Sequence, residues 1–249
     1  MSGHSKWAQI KHKKAKTDLA RGKAFSKLIR LITVAARQGG GNPENNARLR
    51  IAIQKAKEVN MPQDNIEKAI KKGTGELEGV TYEEITYEGY GPGGVAIMVE
   101  VLTDNRNRTT AELRHIFSRH GGALGESGSV SWIFERKGFI SFDKEKVDEE
   151  ELMTVAIEAG AEDLRVGEST IDVITSPSDF DQVREAIESA GLSYDLAQIT
   201  MLPKTMVNVE GKAAQQVLEL IDALEEHDDV QEVYSNFEVA DEVLESLDR

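Results

Sequence analysis

No cysteine occurs anywhere in the 249 residues, which removes disulfides, thiolate nucleophiles and cysteine-ligated zinc together. A reducing compartment suits such a chain. There is also no apolar run near the roughly 18 residues that a bilayer crossing needs, and the basic N-terminus lacks the apolar stretch of a secretory signal. These absences predict a cytoplasmic protein with no membrane partner. The five histidines, His4, His12, His115, His120 and His227, include no pair three or four apart on a helix beside a carboxylate, so no metal ligands are assigned. No Walker loop, no G-x-S-x-G elbow and no visible Ser, His and Asp set appears. The chain therefore reads as a non-enzyme, with no catalytic residues, no cofactor and no small-molecule substrate.

Charge is abundant, and it is segregated. The formal net charge is −14, yet residues 1–72 hold 17 Lys and Arg against 5 Asp and Glu, a local net of +12. The remaining residues hold 13 basic and 39 acidic groups, a net of −26. With a Debye length of about 8 Å at physiological salt, distant acidic segments barely weaken a basic surface. The N-terminal segment is thus expected to attract polyanions, nucleic acid above all.

Its first 17 residues, MSGHSKWAQIKHKKAKT, carry Lys6, Lys11, Lys13, Lys14 and Lys16 with no acid before Asp18, and read as a basic arm. Trp7, inside the arm, either stacks on a base or anchors the arm to the helical core. From Asp18 the apolar residues Phe25, Leu28, Ile29, Ile32, Ala35 and Ala36 recur at helical steps and stop at Gly39-Gly40-Gly41. Asn42 and Pro43 suggest the cap and first turn of a second helix with Leu49, Ala52, Ile53, Ala56 and Val59 inward. Pro62 opens a third, with Ile66, Ala69 and Ile70 buried, that Gly73 and Gly75 end. Three such helices form a small bundle. The candidate nucleic-acid contacts are Lys6, Trp7, Lys11, Lys13, Lys14, Lys16, Arg21, Lys23, Lys27, Arg30, Arg37, Arg48, Arg50 and Lys55. Lys57, Lys71 and Lys72 also fall on outer faces.

After Gly75 the period changes to alternation. Glu84 to Glu88 reads as a strand, Gly89-Tyr90-Gly91-Pro92-Gly93-Gly94 as a wide hairpin turn, and Val95, Ile97, Val99 and Val101 as the next strand. The glycines spell G-x-G-x-x-G, but a dinucleotide site needs a helix directly after them, and a strand follows. Thr103-Asp104-Asn105 caps a helix ending at Gly121-Gly122. Arg106 and Arg108 open that helix, and His115 and Arg119 each fall within about 20° of Arg108 at the ideal helical repeat. Arg106 and Arg108 therefore join the candidate contacts.

The later elements give the order βαββαβ twice: one set from residues 95–102, 105–120, 130–135, 206–209, 212–226 and 230–237, the other between 139 and 201. The fold class expected is multidomain α and α+β: a three-helix domain, then two ferredoxin-like α+β domains, one inserted in the other. The boundaries are 1–76 for the basic helical domain, 80–136 plus 204–240 for the first α+β domain, and 137–203 for the inserted one. The acidic last dozen residues end in a short helix or fray.

The blocks GHSKWAQIKHKKAKTD, RGKAFSKLIR, AARQGGGNPENNARLR, NMPQDNIEKAIKKGTGE, YEGYGPGGVA, TDNRNRT, LGESGSVSWIFERKG and HDDVQEVYSNFE resemble the YebC family of transcriptional regulators, whose mitochondrial members include a translational activator of cytochrome c oxidase. The resemblance implies three domains, the first helical and the others α+β. It also implies one of two functions: a DNA-binding regulator of transcription, or a translation factor associated with the ribosome and its RNA. The charge pattern leaves both open, together with a third reading in which the basic segment docks on an acidic protein partner.

Overall fold

The computed structural model describes Trp7 and residues 18–240. Three helices come first, α1 (Asp18–Gly39), α2 (Ala47–Glu58) and α3 (Gln63–Thr74). Their apolar stripes meet in one core of Ile32, Ala35, Ala36, Leu49, Ala52, Ala56, Met61, Ile66 and Ala69. Gly73 lies inside α3, where a Cβ would come within 2.4 Å of the Thr33 carbonyl oxygen and 2.7 Å of the Ala36 Cβ. The missing side chain is what lets α3 lie against α1. Gly75, with φ of 85°, closes the helix in the left-handed conformation.

Asn42 does not cap α2. Its side chain accepts from the Glu44 N–H at 3.0 Å in the preceding turn, and the cap is Asn46, whose Oδ1 accepts from Leu49 N at 3.0 Å. The Asn46 Nδ2 donates to the carbonyls of Ala35 at 2.8 Å and Gly40 at 2.9 Å. One buried amide thus serves the end of α1 and the start of α2, a double role that Asn42, held in the turn, does not fill.

Strands β1 (Glu83–Tyr90) and β2 (Ala96–Thr103) form an eight-pair antiparallel hairpin. The glycines singled out above lie in its turn, a 3₁₀ segment Pro92–Gly94 with Gly93 and Gly94 at φ of 73° and 79°. Helix α4 (Arg106–Arg119) follows, capped by Asn105, which accepts from Arg108 N. After β3 (Ala123–Leu124) comes the second sheet-forming stretch: β4 (Phe134–Asp143), α5 (Glu149–Glu158), β5 (Asp163–Val166), β6 (Thr170–Thr175), α6 (Phe180–Ser189) and β7 (Leu196–Pro203). The chain then returns through β8 (Val207–Asn208), α7 (Gly211–Glu226), β9 (Val230–Ser235) and β10 (Phe237–Glu238).

The stretch from β4 to β7 has strand order β5-β6-β4-β7, all antiparallel, the arrangement of a βαββαβ unit with one face covered by α5 and α6. The other sheet runs β3-β1-β2-β9, and here the strands differ from those expected. Residues 131–133 form a 3₁₀ turn, and the chain from Phe134 onward pairs with β7 in the inserted sheet. Residues 207–208 pair only with β10, in a separate parallel ribbon. The interior position beside β2 is taken instead by β1. An eight-residue strand closed by a tight glycine turn costs little loop entropy, whereas β8 offers two residues. The layout stays ferredoxin-like while its strands come from the chain in a permuted order.

One face of this sheet packs on α4 and α7 through Ile97, Val99, Val101, Leu113, Phe117, Val217, Leu220, Ile221 and Leu224. The other is apolar at Ala96 and Met98, which meet Val130, Ile133 and Phe134 at the entry to the inserted unit. Toward the opposite end of the strands that face becomes acidic, with Glu84 on β1, Glu100 on β2 and Glu232 on β9.

Candidate nucleic-acid interface

Lys6, Lys11, Lys13, Lys14 and Lys16 lie outside the described residues, as does the side chain of Arg21 and the terminal segment after residue 240. Trp7 needs correction as a base-stacking candidate. Its side chain is 7% exposed and belongs to the core shared by Tyr87, Ile97, Phe117 and Ile221. The indole therefore sits in the first α+β unit rather than in the helical core, and its faces are covered.

Six more candidates engage acceptors of the first α+β unit. Lys27 Nζ donates to the Glu225 carbonyl at 2.6 Å, and burial, opposed by nearby Glu225, Glu232 and Asp228, lowers its ammonium below the ordinary lysine value. Arg30 donates to the Asp228 carbonyl and to Asp229 Oδ1, both at 2.6 Å, and its guanidinium lies 5.6 Å from the centre of the Tyr82 ring. Arg48 grips both oxygens of Glu84 at 2.8 Å. Lys55 lies 3.6 Å from Glu232. Arg106 pairs with Glu83 at 3.2 Å, and Arg108 with Asp229 at 2.7 Å and Asp104 at 3.0 Å. Lys27 and Arg30 are committed inside the joint and do not present to a phosphate backbone. Arg48, Lys55, Arg106 and Arg108 keep solvent-facing sides, but each already holds a carboxylate. Net charge along the sequence cannot reveal this, because the partners lie 23 to 199 positions away, Asp104 excepted.

Asp229 is the centre of the joint. Its side chain is almost fully buried and accepts from Arg30, Arg108, Thr109 at 2.6 Å and Thr103 at 3.2 Å. Burial by itself raises a carboxyl; here the Thr109 hydroxyl and the two guanidinium groups more than reverse it, to about 2. Ligand atoms of Glu112, His227 and Asp229 lie within 4.8 Å of one another, a grouping that distant sequence positions concealed. Its atoms are already matched: His227 Nδ1 accepts from Asp229 N at 3.1 Å, its Nε2 meets Glu112 at 2.9 Å, and Asp229 faces two cations. The cluster is a hydrogen-bonded strut between α4 and the start of β9.

With those residues set aside, a different cationic set remains on the outer bundle. Lys23 and Arg37 on α1, Arg50 and Lys57 on α2, and Lys68, Lys71 and Lys72 on α3 are exposed. Arg50 donates to the Pro43 carbonyl at 3.1 Å. Among the described residues no carboxylate lies within ion-pair distance of any of the seven. Lys68, Lys71 and Lys72 follow the i, i+3, i+4 spacing that puts them on one helix face. That spacing is the signal for including Lys68, Lys71 and Lys72 in the site, outweighed in the sequence by the denser run of lysines in the arm. Arg50 and Lys57, two turns apart, share a stripe of α2.

The sheet of the first α+β unit offers no comparable surface. RNA-binding sheets of this architecture present aromatic side chains on an open face. Here Glu84, Glu100 and Glu232 occupy that side, and burial together with Glu232 pushes the Glu100 carboxyl up. The Tyr234 hydroxyl faces Glu100 at 3.4 Å.

At the other end of the same strands stands a second feature, which no local sequence pattern marks. The buried carboxylate of Glu88 accepts from the N–H groups of Gly128, Val130 and Ser131, each at 2.7 Å, and so pins the loop 125–131. Burial opposes the charge, but those amides hold the Glu88 carboxyl below its ordinary value. Beyond the loop Trp132 is 65% exposed and Tyr90 40%. Trp132 Nε1 donates to the Ser129 carbonyl at 3.1 Å and the Tyr90 hydroxyl donates to the same oxygen at 3.0 Å.

Both the sequence and the fold have counterparts among known proteins. Residues 5–76 match the model of the TACO1/YebC protein N-terminal domain, and residues 82–237 that of the TACO1/YebC second and third domain. A protein of Dictyoglomus turgidum named "Probable transcriptional regulatory protein" is 58% identical over 248 residues, covering 99% of this chain and 100% of that one. A protein of the same name from Halothermothrix orenii is 59% identical over 250 residues, with 99% of each covered. The crystal structure of the conserved hypothetical protein Aq1575 from Aquifex aeolicus superposes with a TM-score of 0.81 at 57% identity, over 96% of this chain and 98% of that one.

Proposed function

Because the chain belongs to the TACO1/YebC family, we propose that it is a nucleic-acid-binding regulator of gene expression, acting on DNA as a transcriptional regulator, with the outer cations of its helical bundle as the phosphate-binding surface. The observation that carries this reading is the set Lys23, Arg37, Arg50, Lys57, Lys68, Lys71 and Lys72, exposed and without a carboxylate partner among the described residues. The names carried by its relatives in Dictyoglomus and Halothermothrix agree with it. Phosphate contacts of this kind fix orientation and supply affinity without reading sequence. The arm lysines would extend the surface. No step of bond chemistry is needed, and no helix among the described residues is long and apolar enough to cross a membrane.

Equilibrium binding to a duplex DNA and to a structured RNA, measured by fluorescence anisotropy across salt, tests the proposal. If four to seven cations meet phosphates of duplex DNA, log affinity falls against log salt with a slope of about −4 to −6. Reversing Lys68, Lys71 and Lys72 to Glu lowers affinity at least tenfold and flattens the slope, with the fold retained by circular dichroism. Tighter binding to the RNA moves the function to the ribosome-associated reading on the same surface. Affinity that does not respond to salt, or to the reversal, rejects the interface.

A further inference from the structure

Trp132 is an indole that the fold holds rigid and leaves uncovered, at the end of β1 away from the bundle. The bundle is tied to Glu84 near the start of β1. Tyr90 closes the same strand six residues later, which at about 3.3 Å per residue places it roughly 20 Å farther along. Glycine-rich turns surround the position, at residues 91–94, 121–122 and 125–128. Burying or freeing a tryptophan costs little in a mobile loop, but this loop is fixed through three amides on the Glu88 carboxylate.

The polar handles of both rings are spent internally, on the single carbonyl of Ser129. What they offer outward is ring face. The loop neighbours Gly125, Glu126, Ser127, Gly128, Ser129 and Ser131 are small or polar and Val130 is buried, so the loop itself adds no exposed large apolar side chain of the kind a protein interface uses beside the indole. A lone aromatic face in a polar setting is enough for a nucleobase, since every base has a π face and stacking is tolerant of sequence. The backbone N–H of Lys204 donates to the carbonyl of Ile133 at 2.9 Å, so an exposed lysine belongs to the chain segment paired next to Trp132.

We infer that Trp132, flanked by Tyr90, is a stacking site for an unpaired base of single-stranded nucleic acid, separate from the cationic surface of the bundle. The inference rests on the nucleic-acid reading above, and it adds a preference that phosphate contacts alone cannot create. Unpaired bases present their faces to this site, and bases inside a duplex do not.

The test uses the full chain, a short single-stranded oligouridine and a blunt duplex, with intrinsic fluorescence and anisotropy as readouts. Oligouridine quenches the emission of the wild type, and the quenching disappears in Trp132→Phe, whose remaining tryptophan, Trp7, is buried. Trp132→Ala weakens oligouridine binding by roughly 5- to 100-fold, the range that one stacked base carries, with the salt slope unchanged. Trp132→Phe keeps most of the affinity, because it retains a ring while losing only the bond to Ser129. Duplex binding is the same in all three proteins. Thermal melts of the variants monitor the loop, and the conservative Phe variant keeps the result interpretable if Ala loosens it. Wild-type oligouridine affinity in Trp132→Ala, with no quenching in the wild type, overturns the inference while the bundle's charge reversal still weakens binding. Absence of any oligouridine or duplex binding by the wild type at low salt instead removes the reading beneath it.

Discussion

Asp229 shows how one side chain can decide the relation between two parts of a molecule. Four donors from α1, α4 and the end of β2 converge on a carboxylate that water scarcely reaches. Its folded value of about 2 lies below the ordinary 3.8, so the charged form is favoured by folding. The corresponding stabilisation is about 2 kcal/mol. It is present in full above about pH 4 and is lost as the pH falls through 2. Asp229→Asn keeps the shape and removes the charge, leaving Arg30 with a weaker partner in a half-buried site. Chemical denaturation should find the variant less stable by about 2 kcal/mol at pH 7, with the gap closing between pH 4 and pH 2. A gap that stays constant over that range assigns the loss to packing rather than to charge.

Among the elements, β1 carries the most consequence, since it supplies Glu84 to the bundle at one end and Tyr90 to the aromatic site at the other. Glu84 and, across the sheet on β9, Glu232 occupy Arg48 and Lys55 as phosphates would. Burial of these pairs is slight, and exposed ion pairs contribute about 0 to 1 kcal/mol each. The double substitution Glu84→Gln, Glu232→Gln should therefore leave stability nearly unchanged. It should raise nucleic-acid affinity several-fold at low salt, because two cations regain their availability, and should steepen the salt slope. A weaker complex in the variant would show that Arg48 and Lys55 act only as interdomain struts.

The same strand marks what the sequence discloses and what it does not. The three helices, the Asn105 cap, the β1–β2 hairpin and the inserted βαββαβ unit are all legible, because each rests on local periodicity or on a turn residue with one physical job. The permuted order of the first sheet is not. Residues 130–135 alternate well enough to look like a strand, but pairing partners lie far apart in the chain, and the competition between β1 and β8 for the place beside β2 is settled by hairpin length. The cap at Asn46 hides behind Asn42 because its value comes from reaching α1, a tertiary fact. The candidate site is legible as a charge excess and illegible as a surface. Helical spacing places Lys68, Lys71 and Lys72 together, whereas only the folded chain can show Arg30 turned inward, Trp7 buried and Trp132 open.

At the scale of the whole molecule the segregated charges are brought together within one chain. The acidic rim formed by Glu83, Glu84, Asp229 and Glu232 already receives the chain's own Arg106, Arg48, Arg30, Arg108 and Lys55. Docking of a second copy's basic bundle on that rim would have to displace an intramolecular partner held at high effective concentration. Light scattering without nucleic acid should accordingly give one mass at 50 and 500 mM salt. Assembly that salt dissolves would restore the reading of the bundle as a protein-docking module.

The insertion also sets an order in time. Strand β2 leaves the ribosome more than a hundred residues before β9, its neighbour in the sheet, a wait on the order of ten seconds at ordinary elongation rates. During that interval the inserted unit, whose strands are contiguous in the chain, has everything it needs to fold, while the unit that houses it does not. The seat for Trp7 and the carboxylate for Arg30 are completed last, so the newborn protein passes through a stage in which Lys27, Arg30 and Lys55 have yet to meet the acceptors they rest on, while Arg48 can already reach Glu84.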